Sequence, residues 1–220
     1  GNVVVSDAEP TVPVTGVADA CTAATFKTEH ADAAADSINT IVVSTSAAVY
    51  GLGNRSIFKE TDPCFPVSNY ALSKYWGEQQ TRLYHDLYEL PTTSIRFFSV
   101  YGSPQTPKQG SHSWAVAIFA MLAKKRKPIT VFGDGNQKRC FSYIDDCLNC
   151  LIPMLEQKNV VKEIINIGPD EELVSIKKIA EICSNVTGSN LRPIFKKDRP
   201  KEVKTATCSA DKARNLLNYK

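Results

Sequence analysis

Along the chain, apolar residues gather in short runs separated by longer amphipathic stretches, and the pattern sharpens from residue 40 onward. Ile41-Val42-Val43 is a β-branched triplet of the kind that forms a buried parallel strand, with a polar exit through Ser44-Thr45-Ser46. A loop punctuated by Pro63 and Pro66 leads to Ser68, whose side chain suits a helix N-terminus, and the spacing predicts a long helix from there to residue 89. A strand is expected over 92–100, a helix over 113–125, and a strand over 129–132 closed by a Gly133-Asp134-Gly135 turn. The pattern then predicts a helix over 144–157 broken or kinked at Pro153, a strand over 164–167, and a helix over 176–186 capped by Ser175 and stopped at Gly188. Short strands at 191–195 and 203–207 and a helix at 211–217 complete the reading. Strand and helix alternating at these lengths specify βαβ units on a parallel sheet.

The first forty residues are different. They hold nine Ala, no Leu and no Arg; Val3-Val4-Val5 reads as a strand and 18–37 as a helix on Ala content alone. They also carry six acids (Asp7, Glu9, Asp19, Glu29, Asp32, Asp36) against Lys27, so a net charge of +3 leaves +8 on residues 41–220. A basic remainder suits a small anionic ligand, but the excess is too thin and dispersed for a nucleic-acid footprint. The densest run, Lys124 to Lys127, reads as a solvated helix end whose cations complement the C-terminal dipole.

At 220 residues the length fits about one and a half domains, and 43% hydrophobic with 22% charged residues is ordinary for a globular chain. Collagen-like and disordered classes are excluded. No apolar run approaches the roughly 18 residues that span a bilayer, and the N-terminus lacks a signal-peptide layout, so a cytoplasmic address without membrane association is expected. Seven Cys without framework spacing point to a reducing compartment. Cys147 and Cys150 form a C-x-x-C inside a predicted helix and read as packed thiols rather than ligands, while His30, His85 and His112 are too scattered for a metal site.

Chemistry enters with Tyr70 and Lys74, spaced i and i+4 on one face of the long predicted helix. An ammonium beside a phenol favours the phenolate, so a tyrosine so placed can exchange a proton with a substrate hydroxyl near pH 7. Alone, the pair is no more than chance supplies at this Tyr and Lys content. What raises it is the Ser44-Thr45-Ser46 cluster at the carboxyl end of a buried strand, where open α/β sheets bind their ligands. Capping or turn duty is the competing reading of those hydroxyls. Gly51-Leu52-Gly53-Asn54-Arg55-Ser56 mimics a dinucleotide fingerprint, but it follows the wrong strand and opens no predicted helix, so it reads as a loop.

Four ordered segments carry a resemblance: Ser44-Thr45-Ser46-Ala47-Ala48-Val49-Tyr50-Gly51; Tyr70-Ala71-Leu72-Ser73-Lys74; Arg96-Phe97-Phe98-Ser99-Val100-Tyr101-Gly102; and Gly133-Asp134-Gly135-Asn136-Gln137-Lys138-Arg139-Cys140-Phe141-Ser142-Tyr143-Ile144-Asp145-Asp146. In order and spacing they resemble the extended short-chain dehydrogenases/reductases, and within them the NAD-dependent epimerase/dehydratase family of UDP-glucose and UDP-galactose 4-epimerases. The match runs from about residue 41 to 219.

The resemblance implies a Rossmann-like doubly wound parallel sheet, lacking its first strands here, with a smaller C-terminal portion for substrate. Residues 1–110 would form a partial dinucleotide-binding domain and 111–220 mainly the nucleotide-sugar portion, with some segments returning to the sheet. It implies NAD as cofactor, although the chain shows no Gly-rich strand-to-helix turn for the pyrophosphate. Tyr70 resembles the catalytic base, Lys74 the residue that tunes it and binds the nicotinamide ribose, and Ser46 their hydroxyl partner with Thr45 as fallback; Ser44 and Phe97 fall on the cofactor side. Family dehydratases carry acids at the two positions before Val-Tyr-Gly, and decarboxylases a Glu immediately before it. Ala47 and Ala48 stand there in this chain, which favours simple epimerisation at C4 of a UDP-hexose.

On the substrate side, Arg139 resembles the arginine that meets the diphosphate, and Arg199 with Glu202 a later element gripping diphosphate and ribose, in which Lys201 and Glu202 depart from the usual Gly-Asp. Phe132 resembles a residue packing near the uracil, and Ser99 stands where many members have Asn. Ala206 falls at a gate filled by larger residues in some epimerases, leaving room for a 2-acetamido group. The Tyr70 helix resembles one through which relatives form homodimers. Two further readings stay open: another reductase or dehydratase reaction of the same family, and a non-catalytic nucleotide-sugar-binding remnant.

Overall fold

A computed structural model describes residues 40–51, 57–103, 105–107, 114–170, 173–199 and 205–219. The elements expected over 3–5 and 18–37, and the Glu202 position, lie outside the described residues. In chain order the first half holds β1 (Ile41–Ser46), a 3-10 turn (Ala47–Tyr50), α1 (Asn69–Tyr88), β2 (Thr92–Phe97), β3 (Val100–Tyr101), α2 (Ala115–Lys124) and β4 (Thr130–Phe132). There follow β5 (Lys138–Arg139), β6 (Ser142–Tyr143), α3 (Ile144–Met154), a 3-10 turn (Lys158–Val160), β7 (Ile164–Ile167), β8 (Val174–Ser175), α4 (Ile176–Val186), β9 (Ile194–Lys196), β10 (Thr205–Ala206) and α5 (Asp211–Leu217).

The main sheet is parallel in the order β1-β2-β7, with Ile41 opposite Thr92 and Ser94 opposite Ile164. Helix α1 covers one face, against β1 and β2, while α3 and α5 close the other over Ile95, Ile165, Ile167, Met154 and Leu217. Helices on both faces of a parallel sheet make the doubly wound α/β arrangement that the alternation implies. β7, α3 and α5 belong to this sheet although they come late in the chain.

β2 is unusual. Its sequence is Thr-Thr-Ser-Ile-Arg-Phe, yet every residue from Thr92 to Arg96 is buried. A central strand covered on both faces needs partners for such polar groups. Thr92 Oγ1 donates to the Thr81 carbonyl at 3.1 Å and Thr93 Oγ1 to the Val160 carbonyl at 2.5 Å.

A second core gathers α2, β4 and α4 around Phe119, Ile129, Val131 and Ala180, with β4 pairing β9 in parallel. Between the two, Val49, Tyr50, Phe58, Phe98, Cys140 and Cys208 form a third cluster. Beside it run the short ladders β3-β6 and β10-β5-β8.

Most expected elements are present. Ser68 caps α1, its hydroxyl accepting from Ala71 N at 3.1 Å, and Ser175 caps α4 by accepting from Lys178 N at 3.1 Å. The strand expected over 92–100 is instead two: Ser99 takes φ 41°, in the left-handed region, and turns the chain out of the main sheet into β3, which pairs β6. The helix expected to 157 stops at Met154, one residue past Pro153, whose ring cannot continue the hydrogen-bond ladder. α2 begins at Ala115 behind Trp114 at φ 65°, with residue 113 outside the described set.

Candidate active site

The carboxyl end of β1 sets out three hydroxyls on alternating faces. Thr45 is buried and its Oγ1 donates to the Ile95 carbonyl at 2.9 Å, which commits that hydroxyl to the sheet. Ser46 Oγ accepts from Ala48 N at 3.2 Å and caps the 3-10 turn, and Ser44 is exposed. Parallel register puts Ser46 level with Phe97, half-buried at the end of β2. Gly51 closes the turn at φ 64°, where an added Cβ would fall 1.8 Å from the Phe65 carbonyl oxygen, so only glycine fits.

Helix α1 delivers the rest. Its buried stripe is Ala71, Lys74, Glu78 and Thr81. Lys74, 8% exposed, reaches the strand end and donates from Nζ to the Ser44 carbonyl at 3.1 Å. One turn earlier Tyr70 is 53% exposed, its ring centroid 6.0 Å from Lys74 Nζ. The structure therefore brings Tyr70, Lys74, Ser44 and Ser46 to one strand end, with an open phenol over a buried ammonium. The capping reading of Ser46 is correct, since its oxygen holds the 3-10 turn.

Beneath them lies a network that the sequence reading passed over. Arg96, 2% exposed, donates from Nε and Nη2 to the two carboxylate oxygens of Glu78 at 2.8 and 2.6 Å, and from Nη1 to Tyr50 Oη at 2.8 Å. Tyr50 in turn donates to Asn166 Oδ1 at 2.8 Å, and Asn166 N donates to Glu60 Oε1 at 2.8 Å. Burial pushes the Tyr50 phenol above its ordinary value even with Arg96 beside it. Burial works against the Arg96 charge, but Glu78 and Tyr50 together more than offset this and hold it cationic. The one signal available was an arginine in a predicted central strand, which demands a buried acid.

The residues expected to hold substrate lie on other ladders. Arg199 stacks its guanidinium 4.5 Å from the centroid of Phe132, at the end of β4. Arg139 sits on β5 opposite Ala206 of β10, its Nη1 donating to the Lys138 carbonyl at 2.8 Å. Ser99 is exposed, and its carbonyl accepts from Ser142 N at 3.3 Å. The structure thus sets Tyr70 and Lys74 of α1 with Ser46 at the end of β1, Phe132 with Arg199 at the end of β4, and Arg139 level with Ala206 on the β10-β5-β8 ladder.

Burial pushes the Cys147 thiol up to about 12 and the Cys150 thiol up to about 11, as packed helix cysteines require. Among the described residues no His/Cys/Asp/Glu cluster suits a metal ion, and no helix is long and apolar enough to cross a membrane.

Comparison with known proteins adds a family and a set of relatives. The model of the NAD dependent epimerase/dehydratase family matches residues 13–168. A putative UDP-glucose 4-epimerase of Methanocaldococcus jannaschii is 36% identical over 176 residues, covering 80% of this chain and 56% of that protein. A UDP-glucuronate 4-epimerase of Thermodesulfobacterium geofontis is 30% identical over 182 residues, covering 83% and 54%. Among solved structures, the UDP-glucuronic acid 4-epimerase of Bacillus cereus in complex with UDP-glucuronic acid and NAD aligns with a TM-score of 0.75 at 33% identity, covering 83% of this chain and 56% of that one. The chain spans about half the length of the curated relatives it matches.

Proposed function

Since the chain belongs to the NAD-dependent epimerase/dehydratase family, we propose that it carries the proton-transfer and sugar-nucleotide-binding parts of a UDP-hexose 4-epimerase. The observation that supports this most is the exposed Tyr70 phenol above a Lys74 ammonium anchored on the Ser44 carbonyl, at the carboxyl end of a parallel strand. Tyr70 takes the proton from the sugar 4-hydroxyl and returns it after the ring has turned over. Ser46, level with Phe97, offers its hydroxyl to the same substrate oxygen. Lys74, anchored on the Ser44 carbonyl, sets its ammonium beside the Tyr70 ring at the place where that proton moves.

The residues present fit the ribose end of NAD: a buried ammonium and a phenol held side by side suit the hydroxyls of a nicotinamide ribose. When bound, NAD supplies the hydride acceptor and donor at C4. Ala47 and Ala48 leave no acid at the positions that dehydration or decarboxylation uses, which supports epimerisation.

Phe132 with Arg199, and Arg139, form the nucleotide end of the proposal, a ring for the base and guanidinium groups for the diphosphate. Glu202 belongs to the same element by sequence. Ala206, level with Arg139, is proposed as the gate that admits a 2-acetamido group. Protein incubated with UDP-glucose and NAD is expected to yield the C4 epimer by NMR without accumulating NADH, and to accept UDP-N-acetylglucosamine as well. Net NADH formation or consumption overturns the epimerase assignment, and turnover of UDP-glucose alone removes the gate.

Two copies are proposed to pair through α1. Leu72, Trp76, Leu83 and Leu87 recur at helical spacing on its outer side and are between 45% and 62% exposed. Sedimentation at micromolar concentration is expected to show a dimer that Trp76→Glu dissociates; a monomer in both cases removes the pairing. The described cysteines are free thiols, which suits the reducing cytoplasm proposed as its location, and fractionation of cells expressing the tagged protein checks it.

A further inference from the structure

The side of α1 that meets the sheet buries few apolar groups, and its half-buried Tyr75 packs against the cluster of Val49, Tyr50 and Phe58. Its four buried residues are Ala71, Lys74, Glu78 and Thr81, one methyl group and three polar side chains, while Leu72, Trp76, Leu83 and Leu87 face outward. Apolar packing is non-directional and, spread this way, does not fix how far the helix is turned about its axis. Directional bonds are left to do so. Among the described residues they include the Lys74 Nζ to Ser44 carbonyl bond, the Thr92 Oγ1 to Thr81 carbonyl bond, the paired hydrogen bonds from Arg96 to Glu78, and, nearer the helix end and more exposed, the Lys162 to Asp86 ion pair.

We propose that Glu78 and Arg96 are positioning residues that set the rotation and register of α1, and through it the place of Tyr70 and Lys74 at the end of β1. The inference rests on the functional reading given above for what Tyr70 and Lys74 do. Glu78 lies one turn beyond Lys74 and two beyond Tyr70, on the same line of the helix. Its two oxygens meet the fork of Arg96, a geometry that tolerates neither a turn of the helix nor a slide along its axis. Arg96 has no slack to follow a moving helix. Its third nitrogen is held by Tyr50 Oη and by the Glu60 carbonyl at 3.2 Å, and Tyr50 is locked to Asn166 of β7 and stacked on Phe58 at 4.6 Å. The chain of bonds runs from β7 through the 3-10 turn and β2 into α1, so the helix is referenced to the whole sheet.

The leverage is large. A tyrosine oxygen stands about 9 Å from its helix axis, so turning α1 by about 20° carries it roughly 3 Å, a whole hydrogen-bond length. Losses of about a hundredfold accompany misplacements of about 1 Å.

Two variants of the full chain test this, Glu78→Gln and the paired apolar substitution Glu78→Leu with Arg96→Met. A buried ion pair replaced by apolar side chains of similar volume commonly keeps or gains stability, so the pair of substitutions removes direction while sparing the fold. Turnover of UDP-glucose is read as kcat and KM separately, and reductive methylation of Lys74 is followed by mass spectrometry with Lys212, bonded to the Ile164 carbonyl outside the network, as internal control. Both variants are expected to lose kcat by about a hundredfold with KM little changed. In both, Lys74 should label about tenfold faster while Lys212 does not change. A general loosening raises both lysines together and overturns the proposal, as does an apolar pair that keeps parental kcat and Lys74 protection. If Glu78→Gln does not fold, the apolar pair decides. If the parent chain turns over no nucleotide sugar, the functional reading fails, while the ratio of Lys74 to Lys212 labelling still decides whether the pair holds the helix.

Discussion

The region carrying Tyr70 and Lys74 and the region carrying Phe132, Arg139 and Arg199 are built on opposite plans. In the first, polar groups are bonded inside the protein: Lys74 to the Ser44 carbonyl, Ser46 to Ala48 N, Thr45 to the Ile95 carbonyl, Arg96 to Glu78 and Tyr50. In the second, core packing is apolar, around Phe119, Ile129 and Val131, and two of the proposed ligand residues sit on two-residue strands. Arg199 lies on an aromatic ring and Arg139 on the carbonyl next to it. The contrast follows the demands of the proposed steps. Proton transfer needs its groups fixed before the substrate arrives, whereas a flexible diphosphate can itself adjust to the guanidinium groups it meets.

The strongest way to break that contrast is Tyr70→Phe. The phenol is open to solvent and its hydroxyl supports no described contact, so stability is expected to stay within about 0.5 kcal/mol of the parent. Turnover is expected to fall by about a thousandfold or more with UDP-sugar binding little changed, because only the proton path is removed. Calorimetric titration of UDP against both forms, beside the NMR assay, checks it. Retained turnover removes Tyr70 from the site.

An intermediate effect is expected in the other region. Arg199→Ala strips the guanidinium from Phe132 and from the proposed diphosphate contact. Hydrogen bonds to charged groups are worth about 1.5–3 kcal/mol, so KM should rise about tenfold to a hundredfold while kcat stays within a few-fold. A loss confined to kcat places Arg199 with the proton-transfer groups and erases the distinction between the two regions.

The same contrast explains what could be read from the sequence. The helix carrying Tyr70 and Lys74 was legible because Ser68 announces its start and because Tyr70, Lys74 and the serine run fall in family order. The parallel sheet was legible from the alternation. The Arg96 network was not, because hydropathy treats Glu78 and Arg96 as surface groups, and its closing bond joins Tyr50 to Asn166, 116 positions apart. β5, β6 and β8 are two residues each, too short to show any period. The bend at Ser99 depends on a left-handed backbone at a residue that gives no local sign of it.

The smallest effect is expected where the chain leaves β7 for β8. Asp170 accepts from both terminal nitrogens of Arg214, and from Ala210 N at 3.0 Å, which ties the start of α5 to the end of the main sheet. The Arg214 guanidinium holds the Asp170 carboxyl below the usual carboxylate range, against the opposing pull of desolvation. A depressed folded value means that the pair stabilises above the unfolded value of about 4, and that this contribution fades as pH falls through the lower folded value. Arg214 is 36% exposed, so screening holds the contribution to at most about 1 kcal/mol. Asp170→Asn is therefore expected to lower the urea midpoint slightly at pH 7, with the gap to the parent narrowing from pH 4 downward. Because the pair lies outside both groups of proposed site residues, kcat and KM should not move. A gap that widens on acidification contradicts the assigned direction, and a change in kcat would mean that the pinned region extends past β7.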